Sequence, residues 1–182
     1  MKVYLRYSPR SDRKNGLLIY DTIEQLGHIH TSTFVKKLDP VAFYKQSQEE
    51  WKKGYVVSLK EMDEADVCVI ETSIPSTAMG QLAQLAVDKV KPTILLYLRG
   101  QKPYFFRGLA ETEKRVQLLE YGPENLKEVL EDAFVWAEEF INTRFTLLFP
   151  PDIVAHLNSL KKKGVPKSEY IRDLIREDMH DK

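Results

Sequence analysis

Residues 72–77, TSIPST, form a polar break that holds hydroxyls and a proline and no glycine. The apolar run VCVI (67–70) leads into it, and a run with helical spacing follows. A loop that leaves a strand and enters a helix turns backbone N–H groups and the positive helix end toward whatever it holds, which suits an anion. Ser76 and Thr77 add hydroxyls at that end, and the helix is expected to begin near Thr77 or Ala78. Arg10, in the early loop SPRSDRKNG (8–16), offers a planar fork that matches a phosphate. The plainer alternative is that Ser76 caps the helix and Arg10 is a solvated surface charge.

The elements around these loops must bring them together. VYLRY (3–7) is rich in strand formers and runs into the loop 8–16. LLIYDTIEQLG (17–27) has apolar residues at three- and four-residue steps and stops at Gly27, a good helix terminator. HIHTST suggests a short second strand. Residues 40–64 have a helical pattern with a break near Gly54. VCVI and TILLYL (93–98) are continuous apolar runs, as parallel strands covered on both faces require. RVQLLEY (115–121) reads as the last strand and ENLKEVLEDAFVWAEEFIN (124–142) as a long helix. Strand and helix alternate, which predicts an α/β fold with a doubly wound parallel sheet. Its ligands bind at the carboxyl ends of the strands, where both loops sit.

Composition narrows the function classes. With 43% apolar and 30% charged residues over 182 positions, the chain can build a substantial core. Lys+Arg and Asp+Glu both total 27, so no global field draws it to nucleic acid or a membrane, and any polyanion contact must be a local patch. No stretch reaches the ~18 apolar residues of a membrane span, and the first residues lack the apolar core of a leader. Cys68 stands alone, which excludes an internal disulfide and points to a reducing cytoplasm. Inside VCVI it reads as a buried thiol and not a nucleophile. His28 and His30 alternate on one strand face but have no third ligand nearby, so no metal is expected. No glycine-rich phosphate loop of the dinucleotide or Walker type occurs, and no cofactor is expected.

The stretch ADVCVIETSIPSTAMGQLAQLA (65–86) resembles the signature of the nucleoside 2-deoxyribosyltransferase superfamily, in particular its 2′-deoxynucleoside 5′-monophosphate N-glycosidase branch. The resemblance covers about residues 1–140. KVYLRYSPRS matches the opening strand and loop, and RVQLLEYGPENLKEVLEDAF the closing strand and helix. It implies a nucleoside monophosphate ligand held by Tyr4, Ser8, Arg10, Glu71, Ser76 and Thr77. It also implies a loss. The family's nucleophilic glutamate, six residues after the loop serine, falls on Leu82, and a second carboxylate falls on Ser58. Two family glycines become Tyr7 and Ala78. A hydrocarbon can neither attack a sugar nor hold a proton, and losing a covalent nucleophile costs ~10⁴–10⁶ in rate. Leu82 fits instead an apolar stripe of Met79, Leu82, Ala83, Ala86 and Val90. Glu71, at the end of its strand, is the one acid that offers itself as a substitute.

The tail has a different pattern. RFTLLFPPDIVAHLNSLKKKGVPKSEYIRDLIREDM resembles the ribbon-helix-helix family over about residues 143–179. One short strand and two helices cannot close a core alone, and the resemblance implies an obligate homodimer whose paired strands lie in the DNA major groove. Phe145, Leu147 and Phe149 would then face inward and Arg144, Thr146 and Leu148 outward. Lys167 and Ser168, the latter expected as N-cap of the second helix, would meet a DNA phosphate. The reading face is thin: Leu148 cannot hydrogen-bond a base edge. Residues 141–182 carry eight Lys/Arg against six Asp/Glu. A clasp that dimerises without binding DNA is the plain alternative. The expectation is therefore a dimeric transcriptional regulator, with a catalytically degenerate nucleotide-binding domain (1–140) and a ribbon-helix-helix module (141–182). The alternatives are an active deoxyribosyltransferase or N-glycosidase that uses its tail only to dimerise, and a structural protein whose tail engages another protein.

Overall fold

The computed structural model describes residues 1–141, 148–162 and 166–180. The chain divides into two compact units, Met1–Asn142 and Thr143–Lys182.

The first unit is built on five parallel strands: β1 (Lys2–Arg6), β2 (Ile29–His30), β3 (Val67–Glu71), β4 (Thr93–Leu98) and β5 (Val116–Tyr121). Their order across the sheet is β2-β1-β3-β4-β5. From β1 the chain steps out to β2 and then returns to β3 on the other side. This reversal sets the carboxyl ends of β1 and β3 at the switch point, where the crevice of an open α/β sheet is expected. The expected α/β architecture is thus present, and its switch point lies where the two polar loops begin.

Residues pair as Val3 with Val67 and Leu5 with Val69, so alternation assigns each side chain to a face. One face packs Val3, Leu5, Tyr7, Val67, Val69, Ile94 and Leu96 with α1 (Arg13–Gln25) and α7 (Leu126–Glu138). The other packs Tyr4, Cys68, Ile70 and Leu95 under α4 (Gln48–Glu64), α5 (Thr77–Asp88) and α6 (Tyr104–Thr112). Both faces are covered, which is why VCVI and TILLYL carry no polar alternation. Two short helices, α2 (Phe34–Lys37) and α3 (Pro40–Phe43), link β2 to α4.

Several boundaries differ from expectation, each for a local reason. The first helix starts at Arg13 and not Leu17, because the Asp12 carboxylate accepts from the Lys14 N–H and caps it inside the expected loop. The second strand is only two residues long. The chain does not break at Gly54, which lies within α4. The break falls before Ser47, whose hydroxyl accepts from the Glu50 N–H while the Glu50 carboxylate accepts from the Ser47 N–H. The closing helix spans Leu126–Glu138, shorter than 124–142. Val90 leaves the expected stripe: it lies beyond the end of α5, exposed, with φ +58°.

The second unit contains α8 (Pro151–Lys162) and α9 (Lys167–His180). Lys167 donates to the Asn158 side chain at 2.6 Å, and the rings of His156 and Tyr170 lie 5.8 Å apart. Ser168 is not the N-cap. α9 begins one residue earlier, and the Pro166 carbonyl accepts from the N–H groups of Glu169 and Tyr170. Ile153, Val154, Leu174, Ile175 and Met179 remain exposed.

Candidate functional site

β1 ends into residues 7–12 and β3 into residues 72–76, and the two loops lie side by side because their strands are neighbours. In the first, the Ser8 carbonyl accepts from the Ser11 N–H at 2.8 Å and the Ser8 hydroxyl from the Arg10 N–H at 3.3 Å, forming a tight turn. Ser8 is buried, whereas Arg10 is exposed and its guanidinium has no partner among the described residues. In the second loop, Thr72 is tied to β4, its N–H and hydroxyl both donating to the Leu96 carbonyl at 2.7 and 3.0 Å. Ser76 occupies the N-cap position of α5, yet its side chain makes no capping bond. Ser76 thus holds the N-cap position without capping through its side chain, while the exposure of Arg10 fits the alternative of a solvated surface charge. The half-buried hydroxyl and the first N–H groups of α5 remain available at the crevice. Thr77 is exposed beside them.

Glu71 joins the two loops. Only 1% exposed, it accepts through Oε1 from the Ser73 N–H at 3.1 Å and from the Ser73 hydroxyl, and through Oε2 from the Ser11 hydroxyl at 3.2 Å. Burial raises its pKa above the ordinary carboxylate value, against the pull of these donors. The buried Tyr121 hydroxyl, whose own pKa is raised by burial and then by the Glu71 charge, has no partner among the described residues. A carboxyl group so enclosed is poorly placed to attack a sugar.

The face under α4 holds a second polar group. Tyr4, expected at the ligand, is fully buried, and its hydroxyl lies 2.5 Å from Ser58 Oγ and accepts from Arg6 Nε at 3.0 Å. Arg6 also donates to Ser32 at 2.9 Å and pairs with Glu61 at 2.8 Å, its guanidinium 4.3 Å from the centre of the Phe34 ring. Ser58, where the sequence resemblance places a carboxylate, is a neutral partner of Tyr4. Leu82, which the resemblance aligns with the nucleophile, is half-buried and packs against both core clusters of this face. Tyr7 does not fill the crevice either. Its ring turns into the opposite core and lies on Gly16, where an added Cβ would meet it at 2.7 Å, so only glycine fits there.

Loop N–H groups, hydroxyls and the exposed Arg10 are groups of the kind that bind an anion, whereas Leu82 and Ser58 carry no acid. Arg6, Glu61, Ser11 and Ser73 carry no local mark of these roles in the sequence. Nothing local in LRY marks Arg6 as buried, and Ser11 meets Glu71 only through the β1–β3 pairing. The histidines serve separate neighbours: His28 lies 3.2 Å from the N-terminal amine, and His30 stacks on Tyr20. Among the described residues, no group of three His, Cys, Asp or Glu side chains is placed to hold a metal ion, and no helix is long and apolar enough to cross a membrane. In the tail, Leu148 is 97% exposed and Ser168 is exposed, while Arg144 and Thr146 lie outside the described residues.

No family model matches the chain, and no curated protein matches it. Among solved structures, the CMP N-glycosidase BcmB of Clostridium botulinum is similar at 20% identity and a TM-score of 0.50, over 72% of this chain and 98% of that one. At that identity the likeness is one of fold: the chain carries an α/β fold of the nucleoside deoxyribosyltransferase-like kind.

Proposed function

We propose that the first unit is a nucleoside monophosphate-binding domain that has lost glycosidic chemistry, and that the tail is a ribbon-helix-helix module that dimerises and binds DNA. The observation that carries the first half is the pairing of an available anion cradle with a leucine at the nucleophile position. The Ser76 hydroxyl is not committed to its helix, and Arg10 is exposed beside the same strand ends. The likeness to a CMP N-glycosidase supports a nucleotide as the ligand class. In the tail, five exposed apolar side chains on two short helices support a partner copy, since such a pair cannot bury its own core. Ligand in the crevice would then alter how two tails are presented to DNA.

Calorimetry with a panel of ribo- and deoxyribonucleoside 5′-monophosphates tests the sensor half, and flat traces across the panel would refute it. Gel-shift with DNA upstream of the protein's own gene tests the other half. Binding that survives Arg144→Ala unchanged would refute reading by the ribbon. The rival reading, an active glycosidase with Glu71 in the nucleophile's role, is disfavoured by the three hydrogen bonds that enclose that side chain.

A further inference from the structure

We propose that Glu71 is a positioning residue, a latch that fixes the spacing of the two loops so that they close on one phosphate. The inference rests on the reading of the crevice as an anion cradle and adds what organises it. A continuous path of hydrogen bonds runs from the Ser11 hydroxyl to Glu71, from Glu71 to Ser73, and from the Ser73 hydroxyl to the Leu98 N–H at 2.8 Å. It ties the β1–α1 loop, the end of β3, the β3–α5 loop and the end of β4 into one frame.

Every donor on this path comes from a hydroxyl or a backbone amide. Glu71 has no lysine or arginine partner among the described residues. A buried carboxyl group without a cation is costly, and such a group calls for a reason. Direct contact with the ligand is not that reason, since a carboxylate repels a phosphate. Its two oxygens instead face opposite loops, 60 residues apart in sequence for Ser11 and two for Ser73. Ser8, three residues before Ser11, and Ser76, three after Ser73, are carried by the segments the latch holds. The carboxyl group thus acts through geometry, and an uncharged amide of the same shape serves as well. It accepts from Ser73 through its oxygen and donates to the Ser11 oxygen through its nitrogen.

The readout is the affinity gained from the phosphate: the ratio between the nucleoside 5′-monophosphate that the full-length protein binds tightest and its parent nucleoside, both by calorimetry. Glu71→Ala and Ser11→Ala should each lower that ratio about tenfold, one bond's worth of positioning, while the nucleoside itself binds as before. Combining the two should cost no more than Glu71→Ala alone, because they break the same path. Glu71→Gln should stay within about threefold of the unmodified protein. A mere loss of stability would weaken both ligands together, and Ser11→Ala keeps the test open if Glu71→Ala does not fold. Two results would overturn the latch: an unchanged ratio in Ser11→Ala, or a loss in Glu71→Gln as large as in Glu71→Ala. An unmodified protein that binds both ligands equally would instead overturn the anion cradle, and the latch with it.

Discussion

The Arg6 guanidinium meets the Glu61 carboxylate at 2.8 Å, with only 8% and 18% of the two side chains exposed. The pair crosses from β1 to α4, and the same guanidinium holds Tyr4 and Ser32. Arg6→Met leaves the Glu61 charge largely desolvated and unpaired. It should lower unfolding free energy by about 3 kcal/mol. Adding Glu61→Leu should restore most of that loss, because an apolar pair needs no mutual compensation. Chemical denaturation measures both, and a single change costing under about 1 kcal/mol, the value of a surface pair, would show the ion pair to be solvated.

Val90 sits in the left-handed region just past α5, where its N–H donates to the Val87 carbonyl at 2.8 Å and the Lys91 N–H to the Ala86 carbonyl at 3.0 Å. This is a Schellman ending with a β-branched residue in the glycine position. Val90 is exposed, so little packing is lost on replacement. Val90→Gly should stabilise the protein by about 1 kcal/mol, read as a higher thermal midpoint. A lower midpoint would mean that the valine side chain makes contacts worth more than the strain.

Glu71 couples stability to pH. Its folded pKa lies above the ordinary 4.5, so the folded chain retains a proton that the unfolded chain has already released. Its contribution is therefore fully present below about pH 4.5 and is lost as pH rises through the folded value. Glu71→Gln cannot titrate. The stability difference, variant minus unmodified protein, should grow more positive as pH rises above 4.5 and level off once the folded carboxyl has ionised. A flat difference across that range would place the folded pKa at the unfolded value.

Burial pushes the Cys68 thiol up to about 12. At neutral pH the folded protein should give no reaction with a thiol-specific disulfide reagent, and one equivalent per chain after denaturation. Rapid labelling of the folded form would contradict the placement of VCVI at the centre of the sheet.

These features differ in how far the sequence announces them. β4 spans 93–98, the run TILLYL itself, because a strand covered on both faces is apolar throughout and bounded by Pro92 and Gly100. The α4 start is equally legible in Ser47 and Glu50, a capping box, but Gly54 gives a competing break signal because glycine is a poor helix former. α6 has a weak signal in the sequence: its inward side, Phe106, Leu109 and Ala110, is short, and Tyr104 and Phe105 stay exposed at 82% and 93%. The loops of the crevice follow from strand–helix alternation alone. The latch does not, since nothing local relates Ser11 to Glu71 until β1 and β3 are neighbours. Arg6 is hidden for the same reason: its partner Glu61 lies on a helix that only the fold lays across β1.

The central claim is that the crevice grips a nucleoside phosphate and leaves its glycosidic bond intact. Proton NMR of the purified full-length protein with the monophosphate panel reports both halves in one sample. Saturation transfer from protein to nucleotide, with no free-base resonance after a day at high protein concentration, is the predicted result. Free base accumulating at a rate that scales with protein would contradict the account, and its loss in Glu71→Gln would assign the cleavage to Glu71.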